Sequence, residues 1–192
     1  RRQFGVDRRA AADPASENAA IFGITRKEVF PAANPKSMRW KKRGVWKYVI
    51  EEPTDGWKDL GFDDHKWKRT VKALGCDKKP LLMSVADPWR SDRIWIRRKF
   101  NWTGPTDIYK VDYDLCFDQD VEIYLNGREV LRRGGWNVDW VPTAGDANVF
   151  AEALRTGENV LAVTLKGVGS SYFDCGLSIE TCSDKITDKG TR

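Results

Sequence analysis

The alternation of hydrophobic and polar positions is cleanest between Ile94 and Arg133, where strand signals follow one another without a break. Ile94, Ile96 and Arg98 face one way and Trp95, Arg97 and Lys99 the other, the two-residue period of a strand with one wet face. A turn at Gly104-Pro105 separates this strand from a second, in which Val111, Tyr113 and Leu115 share the face opposite Asp112, Asp114 and Cys116. In a third, Val121, Ile123 and Leu125 alternate with Glu122 and Tyr124. Asn126-Gly127 then supplies two residues that tolerate positive φ, and Glu129-Val130-Leu131 returns as the hairpin partner. The pattern predicts an antiparallel sheet.

The flanking segments extend this reading. Trp40, Trp46, Tyr48 and Ile50, interleaved with Val45, Lys47 and Val49, predict the first strand of a sandwich. A polar loop follows, with turn residues at Asp55-Gly56, Gly61 and Asp63-Asp64. Trp57, Phe62 and Trp67 punctuate it as structural pegs, since aromatics under a long loop bury large areas. From Val71 to Arg93 the alternation fails around Gly75, Pro80 and Pro88, which predicts a long irregular crossing with Trp89 near its end. Asp146 to Leu154 reads as a short helix ended near Thr156-Gly157. Asn159 to Lys166 reads as a strand covered on both sides, and Phe173, Cys175, Leu177 and Ile179 alternate along the last strand. Residues 1–37 carry breakers and little alternation and are expected to be an irregular N-terminal extension or linker, in which Glu17 to Phe22 would make a helical turn or two behind Ser16. The domain proper is expected over 38–182, and 183–192 as a frayed polar tail.

A chain of 192 residues, 41% hydrophobic and 32% charged, has the composition of a soluble globular domain that buries a core without help from metals or disulfides. No apolar run approaches the length of a membrane span, so no membrane partner is expected. Arg1-Arg2-Gln3-Phe4 lacks the apolar stretch of a signal peptide, so a leader is either missing or already removed. Cys76, Cys116, Cys175 and Cys182 form no paired spacing and read as buried thiols, and with His65 the only histidine a zinc site is not expected. The formal net charge of +5 is spread among interleaved acids, which argues against nucleic acid in spite of the basic and aromatic run Arg132-Arg133-Gly134-Gly135-Trp136.

Taken together in this order, several segments carry a family resemblance. VWKYVIEEPTDGWKDLGFDDHKW, RIWIRRKF, DQDVEIYLNGREV, GENVLAVTLKG and SSYFDCGLSI resemble the successive motifs of the galactose-binding-like β-sandwich domains attached to glycoside hydrolases. The resemblance runs from Val45 to about Ile179. It implies an all-β, antiparallel jelly-roll sandwich and a carbohydrate-binding or accessory role beside a catalytic hydrolase domain or chain, in an extracellular or periplasmic setting. It also implies that Trp57, Trp67 and Trp95 pack the core. Fold does not fix function, so two roles stay open: recognition of a polysaccharide or oligosaccharide, and structural docking on a catalytic partner.

A sugar site needs a flat aromatic platform for the C–H face of a ring and polar groups for its hydroxyl rim. Trp136, Trp140, Trp89 and Tyr172 are the platform candidates, with Asn137, Asp139, Arg90 and Arg133 as polar partners; capping of the sandwich core is an equal alternative for these tryptophans. Asp118 and Asp120, with Asp112 and Asp114, form an acidic run that offers hard oxygen ligands to calcium, and the resembling family often carries a structural calcium. The competing reading is a solvated strand face, because no twelve-residue calcium loop is present. No pair of carboxylates is marked out for glycoside hydrolysis, no G-x-S-x-G elbow accompanies His65, and no phosphate-cradling glycine motif occurs. The chain is therefore expected to be non-catalytic.

Overall fold

The computed structural model describes residues 24–32, 44–75, 85–88, 91–167 and 172–182, with the backbone alone for 85–88. Its elements in chain order are β1 (Ile24–Phe30), β2 (Trp46–Val49), β3 (Lys68–Thr70), β4 (Ala73–Gly75), β5 (Val85–Pro88), β6 (Arg93–Trp102), β7 (Ile108–Phe117), β8 (Val121–Leu125), β9 (Arg128–Arg133), β10 (Val141–Ala144), the helix α1 (Ala147–Ala153), β11 (Gly157–Lys166) and β12 (Tyr172–Cys182). They form two sheets, one ordered β10-β7-β12-β4-β5 with β1 also on β12, the other β3-β2-β6-β11-β8-β9. The class is the all-β, two-sheet architecture that the alternation predicts.

The sheets meet through the faces that the pattern marks as apolar. Val111, Tyr113, Leu115, Phe173, Cys175, Leu177 and Ile179 of the first sheet pack on Ile94, Ile96, Val121, Ile123, Leu125, Leu161, Val163 and Leu165 of the second. At the β8–β9 hairpin, Asn126 (φ 50°) and Gly127 (φ 94°) supply the positive-φ pair that a tight turn requires. The predicted helix is α1, and its N-terminus is capped by Asp146, whose Oδ1 accepts from the backbone N–H groups of Asn148 and Val149.

Three expectations need correction. Ile24–Phe30, assigned by pattern to an irregular extension, is the strand β1, antiparallel to the last strand from Ile24↔Cys182 to Phe30↔Leu177. Its middle residues are exposed, so it shows no alternation; backbone pairing and the buried Phe30 ring hold it. The crossing from Val71 to Arg93 contains β4 and β5, which pair in parallel through Ala73↔Val85 and Gly75↔Pro88, so the sheets are not antiparallel throughout. The pegs Trp57 and Trp67 pack away from the central core. With Phe62 they join Trp95, Tyr124 and Ala162 on the outer face of the second sheet. Trp40, Cys76 and the predicted turns at Glu17 to Phe22 lie outside the described residues.

That outer cluster is fastened by a charged side chain the pattern places on a wet face. Arg97 is fully buried; its Nε donates to Asp64 Oδ2 at 2.9 Å and its guanidinium also donates to the carbonyls of Trp57 and Asp59. Lys47 Nζ donates to the other oxygen of Asp64 at 2.5 Å. A buried charge survives only when paired and hydrogen-bonded in this way.

Candidate functional site

The strand order brings one set of termini to one end of the sandwich. β6 starts there opposite the end of β11 (Arg93↔Lys166), β8 starts opposite the end of β9 (Val121↔Arg133), and β12 starts opposite the end of β7 (Phe173↔Phe117). The β7–β8 and β9–β10 connections both cross here between sheets, so Asp118, Asp120 and the whole stretch from Gly134 to Trp140 share this end with Tyr172. Most of the residues singled out by sequence are thus neighbours in space. Trp89 and Arg90 lie outside the described residues.

The β9–β10 loop is built around Asn137. Its backbone N–H donates to Phe117 O at 2.9 Å, its Oδ1 accepts from Phe117 N at 3.0 Å, and its carbonyl accepts from the Tyr172 hydroxyl at 2.6 Å. Trp140 turns inward, packing beside Cys116 and Tyr172 and donating from Nε1 to Asp174 Oδ2 at 2.7 Å. Trp136 turns outward: after Gly135 (φ 85°) its side chain is left 62% exposed, the largest exposure among the described large hydrophobic residues. Val138 and Val141, which follow it in the chain, are 49% and 45% exposed.

The candidates therefore divide. Trp136 is open to solvent. Trp140 is half-buried, and Tyr172, expected as a platform, is 6% exposed and serves as a prop beneath Asn137. Burial also pushes the Tyr172 hydroxyl up to about 12, with Asp118 and Cys116 adding to the effect, so the group remains a neutral donor. Asn137 is spent on the loop itself, whereas Asp139 is exposed and its Oδ1 accepts from Trp140 N at 3.0 Å. Arg133 is exposed, with Nη1 and Nη2 donating to the carbonyls of Arg132 and Ala144 at 3.0 and 3.3 Å.

The acidic run does not gather into a calcium site among the described residues. Asp112 is ion-paired with Lys110 at 2.9 Å and Arg26 at 3.5 Å, and Asp120 lies 3.9 Å from Lys166. Among the described residues no group of three or more His, Cys, Asp or Glu side chains converges as metal ligands. Asp114 is held above the usual carboxylate range by burial and then by the charges of Asp139 and Glu28. Burial, reinforced by Asp174, Asp139 and Asp114, pushes the Cys116 thiol up to about 12, which makes it a packing group and no nucleophile. Cys116 and Cys175 are free and buried, as read from the sequence, whereas Cys182 is free but only half-buried. His65 is exposed, with Nδ1 at 2.7 Å from Asp63 Oδ1. Among the described residues no helix is long and apolar enough to cross a membrane.

No family model matches the chain, and no curated protein matches it. Solved structures do. A beta-glucuronidase from Bacteroides uniformis is 18% identical over 81% of this chain and 18% of its own, with a TM-score of 0.52. A glycosyl hydrolase family 2 member from Bacteroides cellulosilyticus is 16% identical over 70% of this chain and 20% of its own, with a TM-score of 0.50. A Lactobacillus rhamnosus beta-glucuronidase is 15% identical over 81% of this chain and 28% of its own, also at 0.50. At such identities the likeness is one of fold. The chain spans between 18% and 28% of the length of these structures, so its fold corresponds to a part of each enzyme.

Proposed function

We propose that this chain is a non-catalytic accessory domain of galactose-binding-like, jelly-roll type that works beside a glycoside hydrolase domain and recognises a glycan through the β9–β10 loop. One observation carries the sugar-binding part: Trp136 stands 62% exposed on a loop whose backbone is pinned on both sides of Asn137. A solvent-facing indole is what a sugar ring stacks on, and a loop backbone held in advance lowers the entropy cost of binding. Arg133 and Asp139 stand on the same loop with side chains able to meet hydroxyls. The fold likeness to parts of glycoside hydrolases supports the accessory role; an extracellular or periplasmic setting is part of the same proposal.

Docking on a catalytic partner is the second reading, favoured by Val138 and Val141. Exposed aliphatic side chains beside a tryptophan suit a protein interface better than a sugar rim. A glycan array with wild type and Trp136→Ala separates the two. The sugar reading expects retention of a defined glycan that Trp136→Ala weakens, whereas an array blank for the wild type supports docking.

A further inference from the structure

Beside the Trp136 loop a notch of about 180 Å³ opens on the outer face of the second sheet. Trp95, Tyr124 and Ala162 lie under the aromatic-pegged loop, but the next outward residues toward this end, Arg93, Glu122 and Thr164, line the open notch. Arg132, Arg133, Lys166 and Asp120 complete its charged lining, four cations against two carboxylates.

The carboxylates are already committed. Glu122 accepts from Arg132 at 2.5 Å and from the Tyr124 hydroxyl at 2.5 Å, and Arg132 also pairs with Glu129 at 2.6 Å. Asp120 faces Lys166 at 3.9 Å. Two guanidinium groups are left over. Arg133 is held by carbonyls alone, and Arg93 acts on Glu122 through its charge while Arg132 takes the hydrogen bond of that carboxylate. Arg93 also stands directly opposite Lys166 in the β6–β11 register, so with Asp120 beside Lys166 and Glu122 within reach of the Arg93 charge the cations still outnumber the carboxylates of the notch. Thr164, the neutral neighbour on the floor, donates its hydroxyl to Ile94 O.

We propose that this notch takes the anionic substituent, a carboxylate or a sulfate ester, of an acidic glycan whose adjacent ring lies on Trp136. Gly134 lines the notch and Trp136 follows two residues later, within about 7 Å along the chain, so one oligosaccharide reaches both. Arginine offers a planar fork of donors that matches either oxyanion. This assignment rests on the sugar-binding reading above and adds the charge class of the glycan.

The test uses the full 192-residue chain with a polygalacturonate oligomer, its carboxyl-reduced neutral counterpart, a sulfated galactan oligomer and a single-stranded oligonucleotide. Wild type is expected to bind the polygalacturonate or the sulfated oligomer about tenfold or more tightly than the neutral one at low salt, and to lose that margin as salt rises. The tighter of the two acidic oligomers tells carboxylate from sulfate. Arg93→Gln should erase the margin while leaving neutral binding and the thermal melt unchanged, and adding Arg133→Gln should leave no margin either. Equal binding of acidic and neutral oligomers, or a margin that survives both variants, overturns the anionic site while leaving the sugar-binding reading intact. Failure to bind any oligosaccharide overturns that reading as well. An oligonucleotide held as tightly as the acidic glycan overturns the glycan assignment.

Discussion

Trp136 and Trp102 show how position decides what one side chain does. Trp102 is buried in the inter-sheet core with Nε1 donating to Pro105 O at 2.9 Å, whereas Trp136 projects from a glycine-broken loop. Truncating the first removes a large packed volume and should cost about 3–5 kcal/mol of stability. Truncating the second should change stability by roughly 0.5 kcal/mol or less and weaken glycan binding by about 1–3 kcal/mol, taking aromatic stacking on bases as the scale. Urea denaturation and affinity electrophoresis on Trp102→Ala and Trp136→Ala measure both. Asp64 is the other residue with a defined cost. Burial opposes its ionisation, yet hydrogen bonds from Lys47 and Arg97 outweigh it and hold the carboxyl below its usual value. Its contribution is therefore fully present above the unfolded value of about 3.9 and disappears as pH falls through the lower folded value. Asp64→Asn should cost about 3–5 kcal/mol at neutral pH and narrow toward wild type in acid, as denaturation at the two pH values will show. Sequence alone made Trp136 legible, because Gly134-Gly135 marks where the chain can splay an indole outward. It hid Arg97 and Tyr172: a buried arginine looks like a wet face until its carboxylate partner is located in space.

The long strands β6, β7, β11 and β12 were legible because each alternates over enough residues for the two-residue period to stand out. Those the pattern missed offer no run of alternating side chains long enough to read. β4 and β5 are short pieces, and β1 exposes its whole middle. What anchors β1 is its end: Phe30 meets Trp46 edge-to-face at 5.7 Å, and the following Ala32 passes over Gly176 so closely that a Cβ there would stand 2.7 Å from the Ala32 backbone nitrogen. Gly176→Ala should therefore push the Pro31-Ala32 segment off the sheet and cost about 1–3 kcal/mol, an overpacking penalty. Hydrogen exchange should then report faster opening of β1 with β7 still protected. Equal protection of β1 in both proteins would show that the close approach carries no strain.

The molecule as a whole has two unlike ends. Away from the candidate site, Asn126 and Asn159 close the sandwich with an amide network: Asn126 Nδ2 donates to Ala153 O and Asn159 Oδ1 at 2.8 Å each, and Asn159 Nδ2 donates to Arg155 O at 2.7 Å. Both amides are consumed in joining α1, the β8–β9 turn and β11, a structural use of polar side chains. At the other end a pinned loop leaves its tryptophan outside. That contrast was not readable from sequence, because both ends are rich in Asn, Gly and Arg, and only the strand order tells which loops share an end. The central claim, that Trp136 is a recognition platform, is tested most directly by fluorine NMR on the chain labelled with 5-fluorotryptophan, with the Trp136 resonance assigned through Trp136→Phe. Titration with an oligosaccharide that the wild type retains on the array should move the Trp136 signal and leave those of the buried Trp46 and Trp102 in place. A Trp136 signal that stays fixed at saturating oligosaccharide would contradict the account.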